Sequence, residues 1–254
     1  MPGHFWHAEN STVRLQLARL SGVVDPLNPA GGIGQLRLDR APLVGMHLLG
    51  VELPTAETPV APSIVDYYVR GADLVATYAE TPARPLRAQI YWHAASDGFD
   101  RAIAAVKLIA SVQTSLLDSR PELSTESKLV AREALQFRDS RRVEFAPIGP
   151  AGIDSDVNEQ PERALCYLFR LASEQVSYVE MVHPADAQHS SCQVRAGGAD
   201  LQVHLRHRLF SEPLEKGVIL RARVQGVWLD RKDDEAAAAH HYASFATARL
   251  PLTT

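Results

Sequence analysis

The chain has 254 residues, of which 46% are hydrophobic, and it carries a formal net charge of −4 at pH 7. This acidic balance argues against a nucleic-acid partner, because nucleic-acid-binding domains are usually basic. No stretch has the roughly 18 apolar residues of a membrane-spanning helix, and no basic segment precedes an apolar run at the N-terminus. We therefore expect a cytoplasmic protein with no membrane partner.

Alternation of apolar and polar residues, the pattern of a half-buried β-strand, recurs through the first half of the chain. It predicts strands at residues 13–17, 86–94 and 106–116. Residues 43–53 are apolar on both faces, as in a central buried strand. Residues 127–138 fit either a helix or a strand.

The second half shows the same alternation and predicts strands at residues 165–171, 176–182, 201–210 and 218–228. Pro213 and Gly217 lie between the last two, which suggests a hairpin. The C-terminal segment has a different pattern that predicts a helix. There Asp233 and Asp234 suit a helix N-terminus, an alanine-rich run follows them, and Pro251 stops it.

These elements predict an all-β, mainly antiparallel fold: a large β-sandwich, of which the supersandwich is one form, with one C-terminal α-helix. Residues 139–163 form the longest polar stretch. A single domain therefore spans residues 1–254, or two β-rich halves join within that stretch. Residues 67–80 align without gaps with residues 167–180, which leaves an internal duplication open.

Residues 179–192 place possible metal ligands at every third position. Pro184 favours an extended conformation before it and ends the strand there, which leaves His183, Asp186 and His189 in a loop. One helical turn would bring these three together, and zinc bound by two histidines and a carboxylate keeps a water position for hydrolysis. Otherwise the segment is a polar turn in which Asp186 caps the backbone. A divalent metal is the one cofactor that the sequence suggests.

Four runs present hydrogen-bonding side chains on the face opposite their apolar residues. They are Arg87/Gln89/Tyr91/His93, Gln202/His204, Arg206/Arg208 and Arg221/Arg223/Gln225. In the predicted hairpin, Arg206 lies opposite Arg221, and His204 lies opposite Arg223. Like charges at such positions destabilise a sheet unless carboxylates or an anionic ligand neutralise them.

This polar face favours a carbohydrate-binding or carbohydrate-modifying protein whose small-molecule ligand is an acidic saccharide. Arginines bind carboxylates through two hydrogen bonds, and glutamines bind hydroxyl groups. The ligand-binding candidates are Arg87, Gln89, Tyr91, Arg206, Arg221, Arg223 and Gln225. Tyr91 would stack on a sugar ring. Large β-sandwiches often bind carbohydrates on a sheet, although that is an analogy at the level of the fold.

If the protein is an enzyme, His93 or His204 would act as acid or base in proton transfer at a sugar carbon, with Arg206 and Arg223 orienting the substrate. Three alternatives stay open. One is a metal-dependent hydrolase built on His183, Asp186 and His189; another is a non-enzymatic structural or protein-interaction module. In the third, the arginines cover a solvated outer face and pair with acidic side chains. The oligomeric state is not predicted.

Overall fold

The computed structural model of the protein describes residues 5–54, 63–95, 102–120, 122–139, 142–156, 164–172, 175–210 and 212–248. The strands in chain order are β1 (Trp6–Glu9), β2 (Thr12–Gln16), β3 (Leu20–Val24), β4 (Ile33–Leu38), β5 (Ala41–Pro42), β6 (His47–Glu52), β7 (Ile64–Arg70), β8 (Asp73–Tyr78), β9 (Arg87–Ala95), β10 (Ala102–Gln113), β11 (Leu123–Asp139), β12 (Glu144–Pro147), β13 (Ile153–Asp156), β14 (Cys166–Leu171), β15 (Val176–Val182), β16 (Ala187–Gly197), β17 (Asp200–Leu209) and β18 (Leu220–Asp230). The helix α1 (Asp234–Thr247) follows them, and a short 3-10 helix occupies Pro29–Gly31.

The strands form two antiparallel sheets that face each other. Sheet I runs in the order β7-β8-β9-β10-β18-β15-β14 and continues through the second half of β11 to β12. Sheet II runs β13-β16-β17, then the first half of β11, then β6, β4, β3, β2 and β1. Strand β11 is therefore shared by both sheets.

The hydrophobic core lies between the two sheets and draws on both halves of the chain. Trp92 and Trp228 of sheet I share one buried cluster with Leu48 and Leu205 of sheet II. The indole nitrogen of Trp92 donates to the carbonyl oxygen of Leu49 at 3.2 Å, which fixes the sheets face to face. Side chains that alternate with these core residues point to the outer face of each sheet.

A polar cluster is buried inside this apolar core. Glu180 on β15 accepts hydrogen bonds from the hydroxyls of Ser127 and Tyr178, both at 2.6 Å. The Nε2 atom of His207 on β17 lies 3.3 Å from the Glu180 carboxylate, and the Ser190 hydroxyl contacts His207 Nδ1. All five residues are completely buried. Because a buried polar group without partners is costly, this cluster selects one alignment of the two sheets.

Helix α1 packs on the outer face of sheet I. Tyr242 and Phe245 join an apolar cluster with residues of β14, β15 and β18. Asp233 makes no side-chain capping bond at the helix start. The carboxylate of Asp234 instead accepts from Ser177 at 2.6 Å and pairs with Arg170 at 3.1 Å, which attaches the helix to the sheet.

The predicted all-β sandwich with a C-terminal helix is confirmed, and the ambiguous residues 127–138 form part of β11. The predicted hairpin of β17 with β18 is wrong. Strand β17 pairs with β11 and β16, whereas β18 pairs with β10 and β15. No helix among the described residues is long and apolar enough to cross a membrane.

The two aligned segments each form a hairpin, but with different registers. Tyr67 lies opposite Ala76 in the first hairpin, whereas Tyr167 lies opposite Glu180 in the second. Positions that match in the alignment are therefore not equivalent in the sheet. The hairpin geometry gives the suggested duplication no support.

Candidate functional site

A cavity of about 870 Å³ opens on the outer face of sheet II. Strands β6, β11, β17 and β16 form its floor, and the 3-10 helix at Pro29–Gly31 forms part of one wall. Its polar lining consists of Asn28, Glu52, Arg84, Glu122, Ser124, His189, Ser191, Arg206 and Arg208. A cavity of this size with convergent charged groups is the usual form of a small-molecule site.

Gly50 explains how the wall approaches the floor so closely. A β-carbon added at this position would overlap the carbonyl oxygen of Ala30. Gly50 also lies opposite Glu126 in the register of β6 with β11. A glycine at this point lets the 3-10 helix close over β6 beside the Glu126 backbone.

Two glutamates occupy neighbouring positions at this site. Glu52 on β6 lies opposite Ser124, and Glu126 on β11 lies opposite Gly50, so the two acids are diagonal neighbours across the strands. Carboxyl groups on such neighbouring positions interact, and the negative charge of one disfavours ionisation of the other.

The surroundings shift the pKa values of the two carboxyl groups in opposite directions. Burial, followed by the negative charge of Glu126, raises the pKa of Glu52. Burial alone would also raise the pKa of Glu126, but the charge of His204, whose Nε2 lies 3.2 Å from the Glu126 carboxylate, helps to hold it below its ordinary value. Groups whose pKa values are pushed apart in this way are suited to acid–base roles.

Basic side chains complete the cluster. Arg206 Nη2 lies 2.7 Å from Glu52 Oε2, and Arg206 Nε lies 3.7 Å from Glu126 Oε1. His204 Nε2 lies 3.2 Å from Glu126 Oε2. The Glu126 side chain is only 10% exposed, whereas that of Glu52 is 37% exposed and lines the cavity. Glu52 is therefore the carboxyl that a ligand would meet.

A histidine faces the same cavity from the other side. His189 lies opposite Arg208, and Arg208 lies opposite Ser124, which is itself opposite Glu52. Glu52 and His189 thus stand at the two ends of one cross-strand row, roughly 14 Å apart along the sheet at the usual strand spacing. Asp154 Oδ1 holds the His189 ring through Nε2 at 2.5 Å.

The structure divides the predicted ligand-binding face between the two outer faces of the sandwich. His204 and Arg206 lie on sheet II beside the cavity. Four other candidates line a separate pocket of about 410 Å³ on sheet I: Arg87, Gln89, Tyr91 and Arg221. His93 also lies on the outer face of sheet I and is bound to Asp73 at 2.7 Å. His93 and His204 therefore do not meet in one site.

Arg223 and Gln225 are buried and do not line either of these pockets. Arg223 Nε lies 2.7 Å from Asp186 Oδ2, and Nη2 lies 3.2 Å from Oδ1. Arg223 Nη1 donates to the carbonyl oxygen of Ala248 at 2.6 Å. Through these bonds Arg223 joins β18 to the turn before β16 and to the end of α1. The sequence-based expectation that Arg223 orients a substrate is therefore replaced by a structural role.

The three predicted metal ligands are not assembled. Asp186 is bound by Arg223, and His183 Nδ1 lies 3.6 Å from Asp186. His189 is bound by Asp154 instead. Burial, together with the charge of Arg223, lowers the pKa of His183 despite the opposing effect of Asp186. Among the described residues, no three His, Cys, Asp or Glu side chains converge as a metal site would require.

The sequence reasoning missed Glu52 and Glu126. Glu52 ends an apolar strand, and Glu126 adjoins the segment that fitted either helix or strand. The available signal was the excess of arginines on the predicted polar face, which required carboxylates nearby. Those carboxylates come from adjacent strands of the same sheet.

No protein-family model matches the chain, and no curated protein matches it. Among solved structures it is similar to a putative mutarotase, YeaD, from Salmonella typhimurium, with a TM-score of 0.56 and 6% identity over 89% of this chain and 93% of that one. It is similar to a putative aldose 1-epimerase from Escherichia coli K12, with a TM-score of 0.52 and 10% identity over 88% and 98%.

The protein Slr1438 from Synechocystis sp. PCC 6803 is also similar, with a TM-score of 0.54 and 8% identity over 89% of this chain and 98% of that one. Identities this low show a shared fold and no more. The chain has the β-sandwich fold of aldose-epimerase-like proteins.

Proposed function

We propose that the protein is a carbohydrate-modifying enzyme that transfers protons at the hemiacetal centre of a sugar bound in the sheet II cavity. The observation that carries the proposal is the cluster at the cavity in which Glu52 and Glu126 are cross-strand neighbours beside Arg206 and His204, with pKa values shifted in opposite directions. The likeness of the fold to a putative mutarotase and a putative aldose 1-epimerase supports a sugar as the substrate.

The chemistry requires one proton donor and one acceptor on opposite sides of the sugar. Glu52 gives its proton to the ring oxygen as the bond between that oxygen and the anomeric carbon breaks. His189, held by Asp154, takes the proton of the anomeric hydroxyl, so an open-chain aldehyde forms with no net change in protons. Rotation of the aldehyde and the reverse transfers close the ring as the other anomer.

The remaining residues of the cluster position Glu52. Glu126 keeps its negative charge beside Glu52, which favours the protonated form of the donor. His204 acts through Glu126, so its role here is positioning rather than the direct acid–base role predicted from the sequence. Arg206 and Arg208 lie between the two ends of the site and favour a sugar with an acidic substituent.

Anomer interconversion measured by exchange NMR tests the proposal. The substrates are glucose, galactose and their uronates, each with wild-type protein and with Glu52→Gln. Loss of a general acid typically costs 10²- to 10⁴-fold, so the variant should lose at least about 100-fold in rate. Glu9→Gln is the matched control. Glu9 lies outside the cavity and forms an exposed ion pair with Arg14, with an N–O distance of 2.7 Å.

Two results would contradict the proposal. If the wild-type protein accelerates none of these interconversions, the proposed reaction is wrong. A Glu52→Gln variant that is folded and retains the wild-type rate would remove Glu52 as the donor.

A further inference from the structure

We infer that the outer face of sheet I carries a second ligand site, for an oligosaccharide that bears carboxylate, sulfate or phosphate groups. The pocket of about 410 Å³ there is lined by Arg70 and Tyr68 from β7, Arg87 from β9 and Arg221 from β18. It lies on the opposite side of the sandwich from the cavity on sheet II. It therefore goes beyond the proposed reaction and does not depend on it.

The three arginines have no carboxylate partner in the part of the chain that the structure describes. Asp73 is the residue opposite Arg70 in the hairpin, but its carboxylate is held by His93 at 2.7 Å. The Nε atom of Arg221 is buried and has no acceptor among the described residues. Like charges gathered on one face repel each other, and a bound anionic group would relieve that repulsion.

The other charged groups on this face leave it positive. Asp66 lies two residues before Tyr68 on β7 and is the remaining acidic residue of that strand face. Lys107 lies opposite His93, and its pKa is lowered by burial and by the charge of Arg223. Glu80, which accepts from Ser115 and lines an adjacent pocket with Arg87, is a second carboxylate, and two carboxylates do not neutralise three guanidinium groups.

The floor of the pocket is already ordered by hydrogen bonds. The Tyr91 hydroxyl donates to Gln89 Oε1 at 2.5 Å, and Gln89 Nε2 donates to Thr77 Oγ1 at 3.1 Å. Tyr91 is only 9% exposed and packs in a small apolar cluster, so its ring cannot stack on a sugar as the sequence predicted. Tyr68, at 39% exposure, is the ring that a sugar could cover.

The dimensions of the pocket favour a chain of sugars over a single ion. Tyr68 and Arg70 on β7 are separated from Arg221 on β18 by strands β8, β9 and β10. At the usual strand spacing this is a width of roughly 19 Å. Charged groups at both ends and hydrogen-bonding side chains between them suit repeated acidic units, because each guanidinium can bind one anionic group through two hydrogen bonds.

Calorimetric titration with tetragalacturonate tests this inference, with maltotetraose as the neutral ligand of equal length. The Arg87→Gln/Arg221→Gln double variant should bind tetragalacturonate at least tenfold more weakly than wild type. Arg14→Gln, which removes an exposed arginine that lines neither pocket, should bind it with wild-type affinity. Affinity should also fall as salt is added, because the contact is between charges. Thermal unfolding confirms that each variant is folded.

Several outcomes would overturn the inference: no binding of tetragalacturonate to wild type, equal affinity for maltotetraose, or wild-type affinity in the folded double variant. Binding to anionic phospholipid vesicles without binding to the saccharide would assign the face to a membrane surface instead. If Glu52→Gln keeps the wild-type anomerisation rate, that result contradicts the proposed reaction in the sheet II cavity and leaves the second ligand site on sheet I unaffected. The double variant should keep any anomerisation rate that the wild type shows.

Discussion

Replacing Asp186 by alanine would leave the Arg223 guanidinium buried without its carboxylate. Arg223 is 4% exposed, and Asp186 accepts bonds from its Nε at 2.7 Å, its Nη2 at 3.2 Å and its backbone nitrogen at 2.9 Å. Among the residues that the structure describes, only the Ala248 carbonyl would remain as a partner of the guanidinium. Removing one partner of a buried ion pair typically costs about 3–5 kcal/mol.

For a chain of this length each kcal/mol corresponds to about 2–4 °C in Tm, so Asp186→Ala should lower Tm by roughly 6–20 °C. Urea unfolding followed by circular dichroism measures the free energy directly. Replacing both partners, as Asp186→Leu with Arg223→Met, should restore most of the stability, because no buried charge is then left unpaired.

The matched control is Glu9→Ala, which also removes one carboxylate from an arginine but at an exposed ion pair. Exposed pairs contribute little to stability, so this variant should unfold nearly as the wild type does. The reasoning is refuted if Asp186→Ala and Glu9→Ala lower the free energy of unfolding equally. It is also refuted if the double replacement is no more stable than Asp186→Ala.

The anomerisation rate should fall at low pH, below the ordinary pKa of glutamate, because Glu126 is then protonated. It should also fall at high pH, above the ordinary pKa of glutamate, because Glu52 then loses its proton. Because the charge of Glu126 helps to raise the pKa of Glu52, Glu126→Gln should move the high-pH limb to lower pH; an unmoved limb would contradict the coupling. Elemental analysis of untagged protein should find no zinc that depends on His183, since Asp186 is bound by Arg223. Stoichiometric zinc that His183→Ala removes would contradict this arrangement.

The fold could be predicted from alternation because a sandwich buries one face of each strand. Residues 86–94 illustrate this, since Ile90 and Trp92 are buried in the core while Arg87 and Gln89 lie outside, as predicted. The pairing of strands could not be predicted in the same way. Strands β17 and β18 are neighbours in the chain, but β18 is placed between β10 and β15 by core packing, which local patterns do not report.

The candidate site could be predicted only in part. Alternation places Arg206 and Arg223 on outer faces, yet the turn before β16 and the end of α1 cover Arg223. An outer face is thus not always an exposed face. Glu52 and Glu126 belong to no sequence motif, because their contact exists only after β6 has paired with β11.

The position of β11 also determines when the cavity can exist during folding. Its first half pairs with β6 from the N-terminal part of the chain and with β17 from the C-terminal part, while its second half pairs with β14 in the other sheet. Pairings between segments that are far apart in the chain make folding slow, because the entropy cost of closing long loops comes before the favourable contacts form. The glutamates and their basic partners His204 and Arg206 come together only when β6 and β17 have both paired with β11. A ligand held between Glu52 on β6 and His189 on β16 would stabilise that junction, so its binding should report complete folding of the chain.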